Sequence, residues 1–249
     1  MQFKDKVALV TGAGSGIGRA SAIAFAQHGA VVVVADINLP SAEQTARMIT
    51  EAGGEASAVA ADVSKVPEVA ALIDQVVRDY GRLDFAHNNA GIEDSMAFIA
   101  DSDESNFDRV IATDLKSVWA CMKYEIAQML RQGGGAIVNT ASVAGVVGVP
   151  GSTAYCAAKH GVVGLTRSAS LEYAAQGIRI NAVCPGLTRT GIIERLTALA
   201  PDVVTSVTPP MQRMAEPSEI AEFVVFMCSD LASFMTGQAV SVDGGWTAM

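Results

Sequence analysis

Val7-Ala8-Leu9-Val10-Thr11-Gly12-Ala13-Gly14-Ser15-Gly16-Ile17-Gly18 is a run of apolar and β-branched residues that breaks into glycines. An apolar run without polar alternation is what a strand covered by helices on both faces requires. The glycines let the backbone turn sharply and approach a pyrophosphate, which would then face the free N–H groups of the helix that follows. A glycine-rich turn alone is weak evidence. This one follows a strand, opens a helix and is succeeded 18 residues after Gly18 by Asp36, at the end of the next apolar run. Gly12, Ser15, Gly16, Ile17 and Gly18 are therefore predicted to hold a dinucleotide. Asp36 is predicted to accept hydrogen bonds from both adenosine ribose hydroxyls and to repel a 2′-phosphate. That points to NAD rather than NADP, and Ser15 and Ile37 stand where an NADP site would offer a cation. Asp62-Val63, after the third run, either bracket the adenine or supply, through the Asp, a cap for the next helix.

Outward from that turn, apolar runs at Val7–Thr11, Val31–Asp36, Ala56–Ala61, Leu83–Asn88, Ala136–Thr140, Ile178–Cys184 and Ala239–Val242 alternate with helical stretches near 17–28, 41–52, 66–80, 103–131, 153–175 and 217–229. In each helical stretch apolar residues recur at three- and four-residue spacing. Ser41 ahead of Glu43, Ser102 ahead of Asp103 and Glu104, and Pro217 with Glu219 mark helix starts, while Gly29 and Gly81 mark stops. The alternation predicts an α/β fold: a single-domain, Rossmann-type, doubly wound parallel sheet of seven strands with helices on both faces, spanning 1–249. The long stretch Pro185–Ala215 lacks a clear strand and contains a candidate short helix, Gly191–Leu199. Segment 186–215 is thus a candidate lid over a ligand.

Lys plus Arg total 17 against 26 Asp plus Glu, for a net charge of −9 and a pI near 4.8. No basic run relieves that balance, so nucleic-acid backbones, anionic membranes and strongly acidic carrier proteins meet no complementary field. Small, largely uncharged partners remain. With 50% hydrophobic and 17% charged residues the chain is not a disordered one, and its length suits one core. Cys121, Cys156, Cys184 and Cys228 lie 28 to 44 residues apart without a C-x-x-C pair or clustered His. Free thiols are expected, and no metal site. The first residues turn polar after one short apolar run, unlike a signal peptide or a membrane span, so a cytoplasmic location is expected.

The fifth run ends in Ile137-Val138-Asn139-Thr140-Ala141-Ser142, and 13 residues later Tyr155-Cys156-Ala157-Ala158-Lys159 begins a helix. Tyr155 and Lys159, four apart, share a helix face. Ser142 stands at a strand's carboxyl end, where open α/β sheets bind ligands. A tyrosine that takes a proton near neutral pH needs its pKa of about 10 lowered by about 3 units, or about 4 kcal/mol. One ammonium about 4 Å away supplies about that much at an effective dielectric near 20. Lys159, reinforced by an oxidised nicotinamide, is expected to suffice. Ser142 would hydrogen-bond the substrate oxygen.

Taken together, Thr11-Gly12-x-x-x-Gly16-x-Gly18, Asn88-Asn89-Ala90-Gly91, Ser142, Tyr155-x-x-x-Lys159, Asn181 and Pro185-Gly186 resemble the motifs of the short-chain dehydrogenases/reductases, in that family's order and spacing from residue 4 to 249. The resemblance implies that Asn89, Ala90 and Gly91 support the central strand and the cofactor. It implies that Tyr155 is the acid/base, that Lys159 also binds the nicotinamide ribose, and that Pro185-Gly186 with Thr188 or Thr190 face the nicotinamide, one of the threonines contacting its carboxamide. It further implies a homotetramer built through the helices near 103–131 and 153–175, with the C-terminal strand at a second interface. One residue departs. Where the family usually has Asn in a V-I-x-x-N-L pattern, holding a proton-relaying water, this chain reads Val110-Ile111-Ala112-Thr113-Asp114-Leu115. Asp114 either keeps the task through its carbonyl while adding a carboxylate near Lys159, or alters the relay, or is a near-isosteric change of little consequence.

The leading expectation is NAD-dependent hydride transfer between a secondary alcohol and its ketone. Cys121-Met122-Lys123-Tyr124 and the run from Ile137 to Pro150 resemble cyclic-diol dehydrogenases acting on six-membered rings, chlorinated ones included. A lining of Glu93, Val143, Ala144, Val149, Pro150, Gly186 and the lid near Ile192–Leu199, with Glu93 and Asp94 the only nearby charges, suits a neutral ring or chain better than an anionic acid. Two alternatives stand beside it. A 3-oxoacyl-carrier-protein reductase is disfavoured by Asp36, by the acidic balance and by Leu171 where carrier-binding relatives tend to have Arg. A non-catalytic dinucleotide-binding regulator would usually have lost the Tyr or the Lys.

Overall fold

In the computed structural model, which describes residues 2–199 and 208–249, seven strands form one wholly parallel sheet. They are β1 (Val7–Thr11), β2 (Val31–Asp36), β3 (Glu55–Ala60), β4 (Phe85–Asn88), β5 (Gly135–Thr140), β6 (Ile178–Pro185) and β7 (Ala239–Val242), in the order β3-β2-β1-β4-β5-β6-β7. Successive side chains on a strand face opposite ways. Ala8, Val10, Val32, Val34 and Val138 therefore share one core with Phe25 of α1 (Gly16–Gln27), Ile49 of α2 (Leu39–Glu51) and Ile220 and Val224 of α8 (Pro217–Cys228). Val7, Leu9, Val33 and Ile137 share the other with Ile73 and Val76 of α3 (Val66–Tyr80), Met122 and Met129 of α5 (Ser117–Gln132) and Val162 of α6 (Thr153–Tyr173). Burial on both faces, at roughly 25 cal/mol per Å² of apolar area, is what selects this arrangement over a half-exposed sheet. Among the described residues no helix is long and apolar enough to cross a membrane.

The chain winds one way from β1 to β3 and the other way from β4 to β7. The reversal leaves a crevice beyond the carboxyl ends of β1 and β4, where such sheets take ligands.

The strand positions agree with the sequence reading to within two residues. Leu83 stays outside the sheet because its N–H and C=O bond the Gln132 side chain, at 3.0 and 2.6 Å. Helix starts differ in detail. Asn38, not Ser41, caps α2 by accepting from the Ser41 N–H, and Asp103, not Ser102, caps α4 (Glu104–Ile111) by accepting from the Ser105 N–H. The stretch 103–131 is not one helix. A π-helical turn, Ala112–Lys116, separates α4 from α5, and it turns Asp114 fully inward. Such one-turn widenings concentrate at functional sites. Gly191–Leu199 forms α7, while 200–207 of the expected lid lie outside the described residues.

Candidate active site

Two turns meet at the crevice. The Thr11 hydroxyl accepts from the N–H groups of Asn89 and Ala90, at 3.1 and 3.2 Å, and the Asn89 amide donates to the Thr11 carbonyl at 3.1 Å. Gly12 has φ 62°, and a Cβ there would come within 2.8 Å of the Ala90 Cα. A Cβ on Gly18 would overlap the Gly12 carbonyl. Gly18 is thus absent from the cavity wall; it lets α1 close against the turn, whereas Gly12, Ser15, Gly16 and Ile17 line the cavity itself.

That cavity, of about 610 Å³, runs from Asp36, Ile37, Asp62 and Val63 past Asn89, Ala90 and Gly91 to Ser142, Tyr155 and Lys159. Asp36 is oriented by two backbone donors, Gly14 N–H at 2.8 Å and Asn38 N–H at 2.9 Å. A Cβ on Gly14 would press to 2.8 Å from the same carboxylate oxygen, so glycine leaves that face open. Asp62 lines the wall and also accepts from the Ser64 N–H and hydroxyl, at 3.1 and 2.6 Å, closing a turn before α3, whose cap residue is Lys65. Asp62 is thus not the cap of that helix, which starts from Lys65. A glycine cradle at a helix N-terminus and an oriented carboxylate one strand away fit an adenosine diphosphate moiety.

At the other end Ser142, on the turn after β5, accepts from the Ala144 N–H at 3.1 Å, which leaves its own proton free to be donated. Gly145 lacks a Cβ that would lie 2.7 Å from the Lys159 carbonyl, so α6 packs against this turn. Tyr155 sits in the first turn of α6, where its N–H donates to Asp94 at 3.1 Å. Lys159 follows one turn later, its Nζ 5.3 Å from the Tyr155 ring centre. The buried ammonium donates to the Thr140 carbonyl at 3.2 Å and pairs with Asp114 at 3.1 Å. Asp114 also accepts from the Ile92 N–H at 3.1 Å, and a Cβ on Gly91 would intrude to 2.6 Å from its Oδ1.

Lys159 pulls the Tyr155 pKa down, as expected, but by itself it does not outweigh the groups that raise it. Burial pushes the Tyr155 hydroxyl up, and Asp114 opposes the pull of Lys159 and of the Ser142 hydrogen bond. Burial likewise raises Asp114 against the attraction of Lys159, while Asp114 and Tyr155 hold Lys159 above its ordinary value. The lysine is a cation already matched by an anion.

Pro185, Gly186, Thr188 and Thr190 all line the cavity. Thr190 immediately precedes α7, accepting from the Ile193 N–H, and Thr188 is buried and donates to the Gly186 carbonyl at 3.1 Å. Pro150 is not on the wall. Met96, Trp246, Arg109 and Arg195 are, and sequence reasoning missed all four. Glu93 and Asp94 are consequently not the only nearby charges. Arg195 reads in the sequence as one polar position on a short helix; the long-range pairing that draws it to the cavity leaves no local mark.

The comparisons with known proteins agree with this geometry. A family profile described as enoyl-(acyl carrier protein) reductase matches residues 12–247. Cyclohexanol dehydrogenase of Acinetobacter sp. strain SE19 is 43% identical over 247 residues, 99% of this chain and 97% of that protein. Cis-4-hydroxycyclohexanecarboxylate dehydrogenase of Sinomonas cyclohexanicum is 44% identical over 249 residues, 99% of this chain and 98% of that one. The crystal structure of levodione reductase superimposes with a TM-score of 0.96 at 37% identity, covering 99% of each chain. The chain belongs to the short-chain dehydrogenase/reductase family. It is an oxidoreductase of the CH–OH group, of the class that uses NAD(P).

Proposed function

We propose that this protein interconverts a secondary alcohol on a six-membered ring and the corresponding ketone, with NAD(H) as the redox partner. The observation that carries the reading is the convergence of Ser142, Tyr155 and Lys159 on the same cavity that Asp36 closes at its far end. Bound there, nicotinamide dinucleotide would supply the acceptor or donor of hydride. Gly12, Ser15, Gly16 and Ile17 would receive its pyrophosphate, Gly18 letting the helix close behind them. Asp36 would take the adenosine ribose hydroxyls, with Ile37, Asp62 and Val63 about the adenine. Asn89, Ala90 and Gly91 would carry the middle of the site, and Lys159 the second ribose. Pro185, Gly186 and Thr188 or Thr190 would face the nicotinamide.

In oxidation, Tyr155 takes the proton of the substrate hydroxyl on its own oxygen, and Ser142 donates a hydrogen bond to the substrate oxygen as its charge changes. In reduction the same proton returns. Lys159 keeps positive charge beside Tyr155 and, with Asp114, sets how readily the phenol ionises. The ring assignment rests on two relatives whose named substrates are cyclohexane derivatives. Asp36 opposes a 2′-phosphate, which supports NAD over NADP. Exposed Phe98, Ile99 and Phe234 support burial between subunits, in a homotetramer. Leu171, 85% exposed, gives an acidic carrier protein no cation to hold. The test is a stereodefined panel of ring alcohols with NAD, scored by NADH formation. Turnover of at least one ring alcohol is expected; turnover of open-chain alcohols or acyl thioesters alone would overturn the ring reading.

A further inference from the structure

Two of the ring substrates named among the relatives differ by a carboxylate. The wall of the catalytic end bears on which kind this chain takes. Glu93, in the segment after β4, and Arg195, on α7, both line the cavity and meet side-on, Nε to Oε1 at 2.7 Å and Nη2 to Oε2 at 3.0 Å. Arg109 is engaged too, donating to the Glu93 carbonyl at 3.1 Å and to Asn106 at 2.8 Å. Asp94 accepts from the N–H groups of Tyr155 and Ser95 and from the Asn106 amide. Asp114 is matched to Lys159 and Glu93 to Arg195, whereas Arg109 meets only neutral oxygens, through its Nη2.

We infer that the Glu93–Arg195 pair is a charge filter on the substrate, a reading that rests on the ring-alcohol function above. An uncharged ring enters without disturbing it. A ring acid finds the Nε–Nη2 edge of the guanidinium occupied and meets the Glu93 carboxylate beside it, so it takes that edge only by displacing Glu93. Planar, two-point pairing is the geometry in which arginine takes a carboxylate, and Glu93 fills both points of the Nε–Nη2 edge. The pair also ties α7 to the segment whose next residue, Asp94, holds the backbone of Tyr155. Glu93 and Arg195 are therefore positioning residues as well as selective ones. Both side chains are partly exposed, at 32% and 58%, so replacing either leaves the fold in place.

The test uses cyclohexanecarboxylate, which carries the charge and has no hydroxyl to oxidise, titrated by calorimetry into the enzyme supplied with excess NAD. Glu93→Gln is expected to bind it about tenfold or more tightly than the unmodified enzyme does. Glu93→Ala should give the same gain, and the Glu93→Gln, Arg195→Gln double variant should lose it. Equal binding by the unmodified and Glu93 variants would overturn the filter, as would a gain that survives in the double variant. Oxidation of the ring-alcohol panel by the unmodified enzyme is scored separately. Its absence would sink the ring-alcohol reading, whereas the titration needs no turnover and decides the filter by itself.

Discussion

Asp114 is the side chain that most changes the chemistry expected of this site. A neutral amide in its place would leave the Lys159 charge free to act on Tyr155; the carboxylate at 3.1 Å offsets it. The groups facing the phenol are Lys159 and Cys156 on its own helix, Asp114 on the π-helical turn and Ser142 after β5, with Arg109 acting on Asp114 and Cys184 on Lys159. Removing the anion leaves the cations less compensated, so the tyrosinate forms at lower pH. Asp114→Asn should therefore move the acidic limb of the kcat/KM profile for alcohol oxidation down by roughly a pH unit. An unmoved limb, or one moved upward, contradicts the electrostatic role. At the other end of the cavity, Asp36→Ala removes the charge that opposes a 2′-phosphate, and the ratio of kcat/KM for NAD to that for NADP should fall by about tenfold or more. Equal use of both cofactors by the unmodified enzyme would contradict that reading. Tyr155 and Lys159 were legible as a pair because a helix returns to the same face every four residues. Arg195 and Glu93, 102 residues apart, share no periodicity, and only the folded chain brings them together.

At the scale of elements, α5 carries the fully buried Glu125 into the seam between β4, β5 and α6. Its Oε2 accepts from the Asn88 amide at 3.0 Å; Asn88 also donates to Asn139, and Asn139 to the Thr166 hydroxyl. Its Oε1 has no hydrogen-bond partner among the described residues, and burial pushes the pKa up to about 8. The folded protein thus holds a proton that the unfolded chain, near the ordinary 4.5, has released. Between those two values the folded state binds the extra proton, so stability falls as pH rises through the window and levels off above about 8. Glu125→Gln keeps the Asn88 contact without the titration. The unmodified protein should lose a few kcal/mol relative to this variant between about pH 5 and 8, read from denaturant midpoints. A constant difference across that range would show that Glu125 is ionised when folded. β1, β2 and β5 were legible because two-sided burial leaves nearly unbroken apolar runs, whereas β3 and β7, half-buried edge strands, were legible from their place in the alternation. The π-helical turn was not, since Val110 to Leu115 keeps a helical pattern and the widening comes from contacts of Asp114 with Ile92 and Lys159.

At the scale of the whole molecule, the reversal of winding between β1 and β4 lets one cavity collect residues from the carboxyl ends of β1 to β6 and from α4, α6 and α7. The glycine turn follows β1, Asp36 ends β2, Asn89 to Gly91 follow β4, Ser142 follows β5, and Tyr155 and Lys159 lie on α6. Nothing in a local stretch states that these segments share an edge; the parallel, doubly wound order does. The central claim is that this edge moves a hydride and a proton together, the proton through Tyr155. It is tested most directly by following NADH formation from cyclohexanol and NAD with the unmodified enzyme and with Tyr155→Phe, alongside NAD binding to both. The unmodified enzyme should turn over, the variant should be slower by ~10²-fold or more, and both should bind NAD alike. Near-normal turnover by Tyr155→Phe would contradict the account.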